Sequence, residues 1–244
     1  MSNTTNKLSP DLKRAGFTEP DFTVNQRLIA SISGLEKQGK THFSLTAAGR
    51  TAYISLDVGH EGVIHKFKNS VTAFKDIKTP QNVEEAEKVW NEYKASYRAA
   101  LSSPSVDVVT VDTKTEAWEV IRLAKLEKLS KVMPHYYEPV NFEFAKLIRE
   151  AFDYKDKSVI FIHKRKPKYV NDKKTDDYEF AGFSKVPFLV QVSVVVYRYP
   201  MDDDDYPGEF AVCIEECRHN PDLVGFELVG SDCNFETLKE IVLE

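Results

Sequence analysis

Short apolar runs alternate along the chain with longer stretches in which apolar residues return every three or four positions. The short runs fit strands buried on both faces, and the longer stretches fit helices laid over them. The pattern therefore predicts an α/β fold, a mostly parallel twisted sheet flanked by helices. Strands are expected at Arg27–Ser33, Thr51–Asp57, Val106–Asp112, Ser158–His163 and Val190–Tyr199, with Val71–Phe74 as an edge piece and Phe210–Ile214 as a late addition. Helices are expected over Lys40–Ala48, Val83–Leu101, Glu116–Lys131, Val140–Phe152 and Phe235–Leu243. Trp90, Tyr93 and Tyr97 recur at helical spacing, which marks a packed face rather than a stacking platform. The acidic run Asp202–Asp205, followed by Pro207 and Gly208, reads as a solvated turn between strands. Residues 1–20 read as a polar lead-in outside this pattern, expected to be partly disordered. Residues 21–244 read as one domain, of which 200–244 is a candidate small C-terminal extension.

Composition narrows the class without changing that picture. A chain of 244 residues suits one α/β domain with a sizeable core, and 42% hydrophobic with 29% charged residues is ordinary for a globular protein. No apolar run reaches the roughly 18 residues of a membrane-spanning helix, and the start lacks the apolar segment of a secretory signal, so the expected location is a cytoplasm. Cys213, Cys217 and Cys233 are odd in number and give no disulfide framework. With His219 they form a candidate zinc set. A strand would hold Cys213 and Cys217 about 13 Å apart, however, which favours small buried side chains.

The sharpest chemical signal is Gly34-Leu35-Glu36-Lys37-Gln38-Gly39-Lys40-Thr41, which fits the phosphate-loop pattern G-x-x-x-x-G-K-[ST]. Glycines let the backbone curl so that successive N–H groups point at phosphate oxygens, and the helix that follows directs its positive end at them. The motif sits between an apolar strand and a helical pattern, the context that it needs. Residues 34–41, with His42 just beyond, are thus expected to bind a nucleoside triphosphate. Lys40 would reach the β- and γ-phosphates, and the Thr41 hydroxyl would ligate Mg²⁺. The strand Val108–Asp112 ends in the carboxylate expected to hold the same metal ion.

Thr113, rather than Glu, follows Asp112, so a water-activating base must come from elsewhere. Glu61, just past the second expected strand, is the best placed, with Asp57 as its competitor, because strand ends of a parallel sheet converge on one crevice. His60 and His65 flank Glu61 too loosely to make a metal pair. No Asn-Lys-x-Asp segment is present to read guanine, and no arginine-rich lid for a second phosphorylated substrate, so ATP is the expected nucleotide.

The Gly34–Thr41 loop, the segment from Asp57 to Phe67, the Asp112 strand and Ile160–His163 together resemble phage-encoded RecA-like P-loop ATPases, which include the ATPase-type single-strand annealing recombinases. Thr175–Phe183, leading to Leu189–Val192, is similar to the way such proteins end their core. The resemblance runs from Arg27 to Arg198. It implies a RecA-like fold, nucleotide contact by Lys40 and Thr41, metal at Asp112, water activated by Glu61 and a γ-phosphate sensed by His163. The chain departs from the pattern at His163, where many such proteins carry Gln or Asn. As a bare residue His163 reads equally as a structural histidine.

Lys164–Lys174 (KRKPKYVNDKK) holds six Lys or Arg among eleven residues, with one Tyr. A basic, flexible loop with an aromatic ring suits single-stranded DNA, although such runs also occur as solvated loops. RecA-like recombinases place a DNA-contacting loop at this point. The resemblance therefore implies contacts by Lys164, Arg165, Lys166, Lys168, Tyr169, Lys173 and Lys174. Arg165, Lys166 and Arg198 are also candidates for a finger reaching a neighbouring subunit's γ-phosphate. A homo-oligomer is expected, as is a phage or host single-strand-binding protein as partner. The expected function is an Mg²⁺-dependent ATPase acting on single-stranded DNA in phage recombination. A net charge of −5 keeps open an ATPase directed at a protein in phage replication or packaging, and a small-molecule or nucleotide kinase also remains.

Overall fold

The computed structural model describes residues 8–19, 25–127, 129 and 133–244. Ten strands follow in chain order: β1 (Ile29–Ser33), β2 (Thr51–Ser55), β3 (Val71–Asp76), β4 (Val108–Asp112), β5 (Ser158–Ile162), β6 (Arg165–Val170), β7 (Lys173–Phe180), β8 (Val192–Arg198), β9 (Phe210–Cys217) and β10 (Glu227–Val229). The helices are α1 (Pro10–Arg14), α2 (Lys40–Leu45), α3 (Val83–Ser102), α4 (Lys114–Leu126), α5 (Tyr137–Glu150), α6 (Val186–Leu189) and α7 (Phe235–Leu243).

Eight strands form one sheet in the order β10-β9-β8-β1-β5-β4-β2-β3, and β6 pairs only with β7. Every pairing from β8 through β3 is parallel, while β9 and β10 add antiparallel at one edge. The region after Pro200 therefore contributes two strands to the main sheet. Alternate residues of the central strands face opposite layers, as the two-residue period of a strand requires. Ile29, Val109, Val111 and Phe161 pack under α3, α4 and α5 with Trp90, Tyr93, Tyr97, Trp118 and Phe144. Leu28, Ala30, Ile32 and Ile160 face the other way, against Phe43 of α2 and Phe235, Leu238 and Val242 of α7.

The expected strands and helices are present with shifted ends. α4 begins two residues before its expected start and ends at Leu126; residues 128, 130 and 131 of the expected span lie outside the described residues. Within the lead-in, residues 1–7 and 20 also lie outside them. Pro10–Arg14 forms one short helix, capped by Ser9, with no buried side chain. The largest difference is the basic stretch, which forms a β-hairpin rather than a flexible loop. Its turn residues Asn171 and Asp172 both take positive φ, 51° and 58°. Two such residues joining two strands make the mirror-image turn that matches strand twist, and Asn and Asp tolerate it best among residues with side chains.

Candidate nucleotide site

Four strand ends meet at one edge of the sheet. Ser55 stands beside Asp112 across the β2–β4 pair, Asp112 beside Ile162 across β4–β5, and Ile32 beside Ile162 across β1–β5. Residues just past these ends therefore converge, although they lie far apart in sequence.

The phosphate loop runs from the end of β1 into α2. Gly39 caps that helix with φ +88°, and a Cβ there would press on the Phe210 ring at 3.0 Å. A Cβ at Gly34 would collide with the carbonyl oxygen of Val196 on β8. Both ends of the loop are glycine because of its shape and its neighbours. Inside the loop, Lys40 Nζ donates to the Leu35 carbonyl oxygen at 2.5 Å, so the amine lies across its own loop. Burial lowers the Lys40 pKa, and the negative charges of Asp112, Glu36 and Asp57 work against that. Glu36 and Lys37 are exposed, and the His42 ring packs edge-on to Phe67 at 5.1 Å.

Thr41 Oγ1 donates to Asp112 Oδ2 at 2.8 Å, joining residues that lie 71 positions apart. The Tyr53 hydroxyl, from β2, donates to the same carboxylate oxygen. Asp112 is 2% exposed. Burial raises its pKa, while the Tyr53 and Thr41 hydrogen bonds and the Lys40 charge favour the anion. The residues present fit a divalent cation of the magnesium type. They are hard oxygen donors, one carboxylate and one hydroxyl, at the mouth of the loop, and Mg²⁺ takes few protein ligands beside phosphate oxygens and water. Gly59 leaves room there, since a Cβ on it would lie 3.7 Å from Thr41 Oγ1 and 3.9 Å from Asp112 Oδ2. Among the described residues no group of three or more His, Cys, Asp or Glu could hold a metal ion by itself.

The two candidate bases differ in their surroundings. Asp57 Oδ1 accepts the Val58 N–H at 2.7 Å and caps a short 3₁₀ turn, Val58–His60, that is also held by a 2.9 Å contact between Ser55 Oγ and His60 Nδ1. Glu61 follows this turn, is exposed, and has no side-chain partner among the described residues. Lys164 separates from the basic stretch in which its sequence places it. Its Nζ lies 2.8 Å from Asp57 Oδ2 and 2.7 Å from Glu116 Oε1 at the start of α4. Burial opposes the charge, but hydrogen bonds to Asp57 and Glu116 outweigh it and raise the Lys164 pKa.

His163 is turned away from solvent. It is 1% exposed, packs 4.3 Å from the Phe180 ring, and neither ring nitrogen has a hydrogen-bond partner. Burial, with the Lys114 charge adding to it, lowers its pKa well below the usual histidine range, so the ring is neutral. The strand-end side chain that reaches the cluster of Asp57 and Glu116 is Lys164, one residue on.

Of the other basic residues, Lys168, Lys173 and Lys174 are exposed on the hairpin, as is Tyr169 at 62%. Lys166 pairs with Glu179 across the hairpin at 3.1 Å, and Arg165 is bound to Glu215 of β9. Arg198 donates to the Gly208 carbonyl at 2.7 Å and lies over the Phe210 ring.

Sequence reasoning passed over Tyr53, Gly59 and Glu116. The only sequence signal for them is their distance from strand ends, which acquires meaning once the order of strands is known. Lys114 was also passed over. Fully buried, it donates to the Tyr93 hydroxyl at 2.7 Å amid the rings of Tyr93, Tyr97, Phe144 and Phe161.

No protein-family model matches the chain, and no curated protein sequence matches it. Among solved structures, the crystal structure of the RadB recombinase is similar with a TM-score of 0.50 and 12% identity, over 83% of this chain and 86% of that one. At that identity the likeness speaks to the fold alone, a RecA-like α/β fold with a mostly parallel sheet flanked by helices. No helix among the described residues is long and apolar enough to cross a membrane.

Proposed function

We propose that this chain is an Mg²⁺-dependent ATPase of the phage RecA-like kind that acts on single-stranded DNA in recombination, by annealing or strand pairing. The observation that carries the reading is the 2.8 Å bond between Thr41 and Asp112 at the mouth of a glycine-bounded loop. It joins the two protein oxygens that such a reaction needs beside the phosphates.

In this reading the backbone of residues 34–41 cradles the phosphates, helped by the N-terminus of α2. Lys40 leaves the Leu35 carbonyl for the β- and γ-phosphates, and Thr41 and Asp112 hold the cation. Mg²⁺, when bound, neutralises charge on the phosphate oxygens. Asp57 orients the attacking water. Its place in the cluster, with Oδ2 2.8 Å from the Lys164 amine, favours it over the exposed Glu61. Glu61 remains the second reading because its carboxylate is unengaged. Lys164 is a cation already facing the cluster and would stabilise charge on the γ-phosphate. Lys168, Tyr169, Lys173 and Lys174 form the face that meets DNA phosphates and a base.

Residues 21–244 would work as one unit, as a homo-oligomer in a host cytoplasm, alongside a single-strand-binding protein. The test is steady-state ATP hydrolysis with and without Mg²⁺ and single-stranded DNA. Asp57→Asn or Glu61→Gln, whichever is the base, should lower turnover by about 10²-fold or more while ATP still binds. Phosphate transfer to a small acceptor, with no response to DNA, would instead make the protein a kinase.

A further inference from the structure

A cavity adjoins the phosphate loop. It measures about 230 Å³ and is lined by Leu35 and Gln38 of the loop, Arg165 and Tyr178 of the hairpin, and the end of β8 at Val195–Tyr197. Its accessible walls are apolar, and two polar atoms lie just behind them. Gln38 Oε1 and Arg165 Nε are both buried with no hydrogen-bond partner, although the far end of the Arg165 guanidinium is held by Glu215. A buried polar atom left unpaired costs about 1–3 kcal/mol, so an occupant toward which the Gln38 and Arg165 side chains turned would supply both complements.

We infer that this cavity is a nucleobase slot, and that its occupant is a single unstacked base of the DNA strand; the inference rests on the DNA-binding reading above. A nucleobase has a flat face for Tyr178 and Tyr197 and an edge carrying both a donor and an acceptor. The cavity is smaller than the roughly 300–1,000 Å³ that encloses a whole drug-sized ligand, so it takes one ring system rather than a nucleotide. Tyr178 pairs across the hairpin with Pro167, while the adjacent pair, Lys166 with Glu179, stands on the opposite face, so the strand's backbone would pass over the hairpin from one face to the other. Gln38 belongs to the phosphate loop and Arg165 to the hairpin, so a base in the slot would touch both the nucleotide-binding and the DNA-binding element.

The test compares a labelled oligothymidylate with an abasic oligomer of the same length and charge, by fluorescence anisotropy. Wild type should bind the thymidylate about tenfold more tightly, as expected for one stacked base. Tyr178→Ala should erase that difference without weakening the abasic oligomer, and Tyr178→Phe should keep it. Equal binding of both oligomers by wild type overturns the slot, as does a difference that survives both Tyr178→Ala and Gln38→Leu. Failure of wild type to bind either oligomer removes the DNA-binding reading itself. The same variants are then titrated with ATP and with inorganic tripolyphosphate. A Tyr178→Ala loss confined to ATP makes the occupant the nucleotide's own base and overturns the DNA assignment, while unchanged binding of both ATP and tripolyphosphate is the result the DNA assignment expects.

Discussion

At the scale of single residues, the site depends on where side chains are absent as much as on where they are present. Gly34→Ala would drive a methyl group into the Val196 carbonyl, and Gly59→Val would put carbon against the Thr41 hydroxyl and the Asp112 carboxylate, filling the space beside them. The first should weaken nucleotide binding and lower stability together. The second should raise the Mg²⁺ concentration needed for half-maximal turnover and leave urea unfolding nearly unchanged. Isothermal titration of ATP with and without Mg²⁺ separates the two. Lys164→Met removes a cation shared by two carboxylates and should lower turnover by about 10²-fold with little loss of ATP affinity, as expected of a group acting on transition-state charge. The loop from Gly34 to Thr41 was legible as a glycine-bounded turn from strand into helix, because its pattern is written in eight consecutive residues. Tyr53, Glu116 and the inward aim of Lys164 were not legible, because each acquires its role from the register between strands.

Elements carry a different set of consequences. Lys114, in the first turn of α4, keeps its amine in an aromatic cage, and burial pushes its pKa down to about 7. The unfolded chain holds that proton up to about pH 10.4, so burying the charge costs most below pH 7 and less as the pH rises toward 10. Lys114→Met should therefore stabilise the protein more at pH 6 than at pH 9, by a difference on the order of 2 kcal/mol in metal-free urea unfolding. A gain independent of pH would mean that the cage, not the charge, sets the cost. The hairpin gives another prediction. Replacing Lys168, Lys173 and Lys174 by alanine should weaken DNA binding alike for all sequences and reduce its log–log salt slope by about 2. The buried parallel strands were readable as apolar runs. The hairpin was not, because strands rich in Lys and Asp and exposed on both faces carry no apolar alternation. Its one readable mark was the Asn171–Asp172 turn.

For the whole molecule, the sheet order β8-β1-β5-β4-β2 brings the loop after β1, the carboxylate ending β4, the turn after β2 and the hairpin after β5 to one edge. The fold class was legible because it follows from alternating strands and helices. Strand order was not, since several windings of a parallel sheet share one sequence pattern. The central claim is that ATP turnover at this edge is coupled to DNA on the hairpin beside it. The direct measurement is the Mg²⁺-dependent ATPase rate of wild type, Lys40→Ala and the Lys168/Lys173/Lys174 alanine variant, each with and without single-stranded DNA. The account predicts a wild-type rate raised by DNA, no rate in Lys40→Ala, and a hairpin variant that keeps its basal rate but loses the increase at low DNA concentration. A wild-type rate indifferent to DNA, or a hairpin variant stimulated as wild type is, would contradict it.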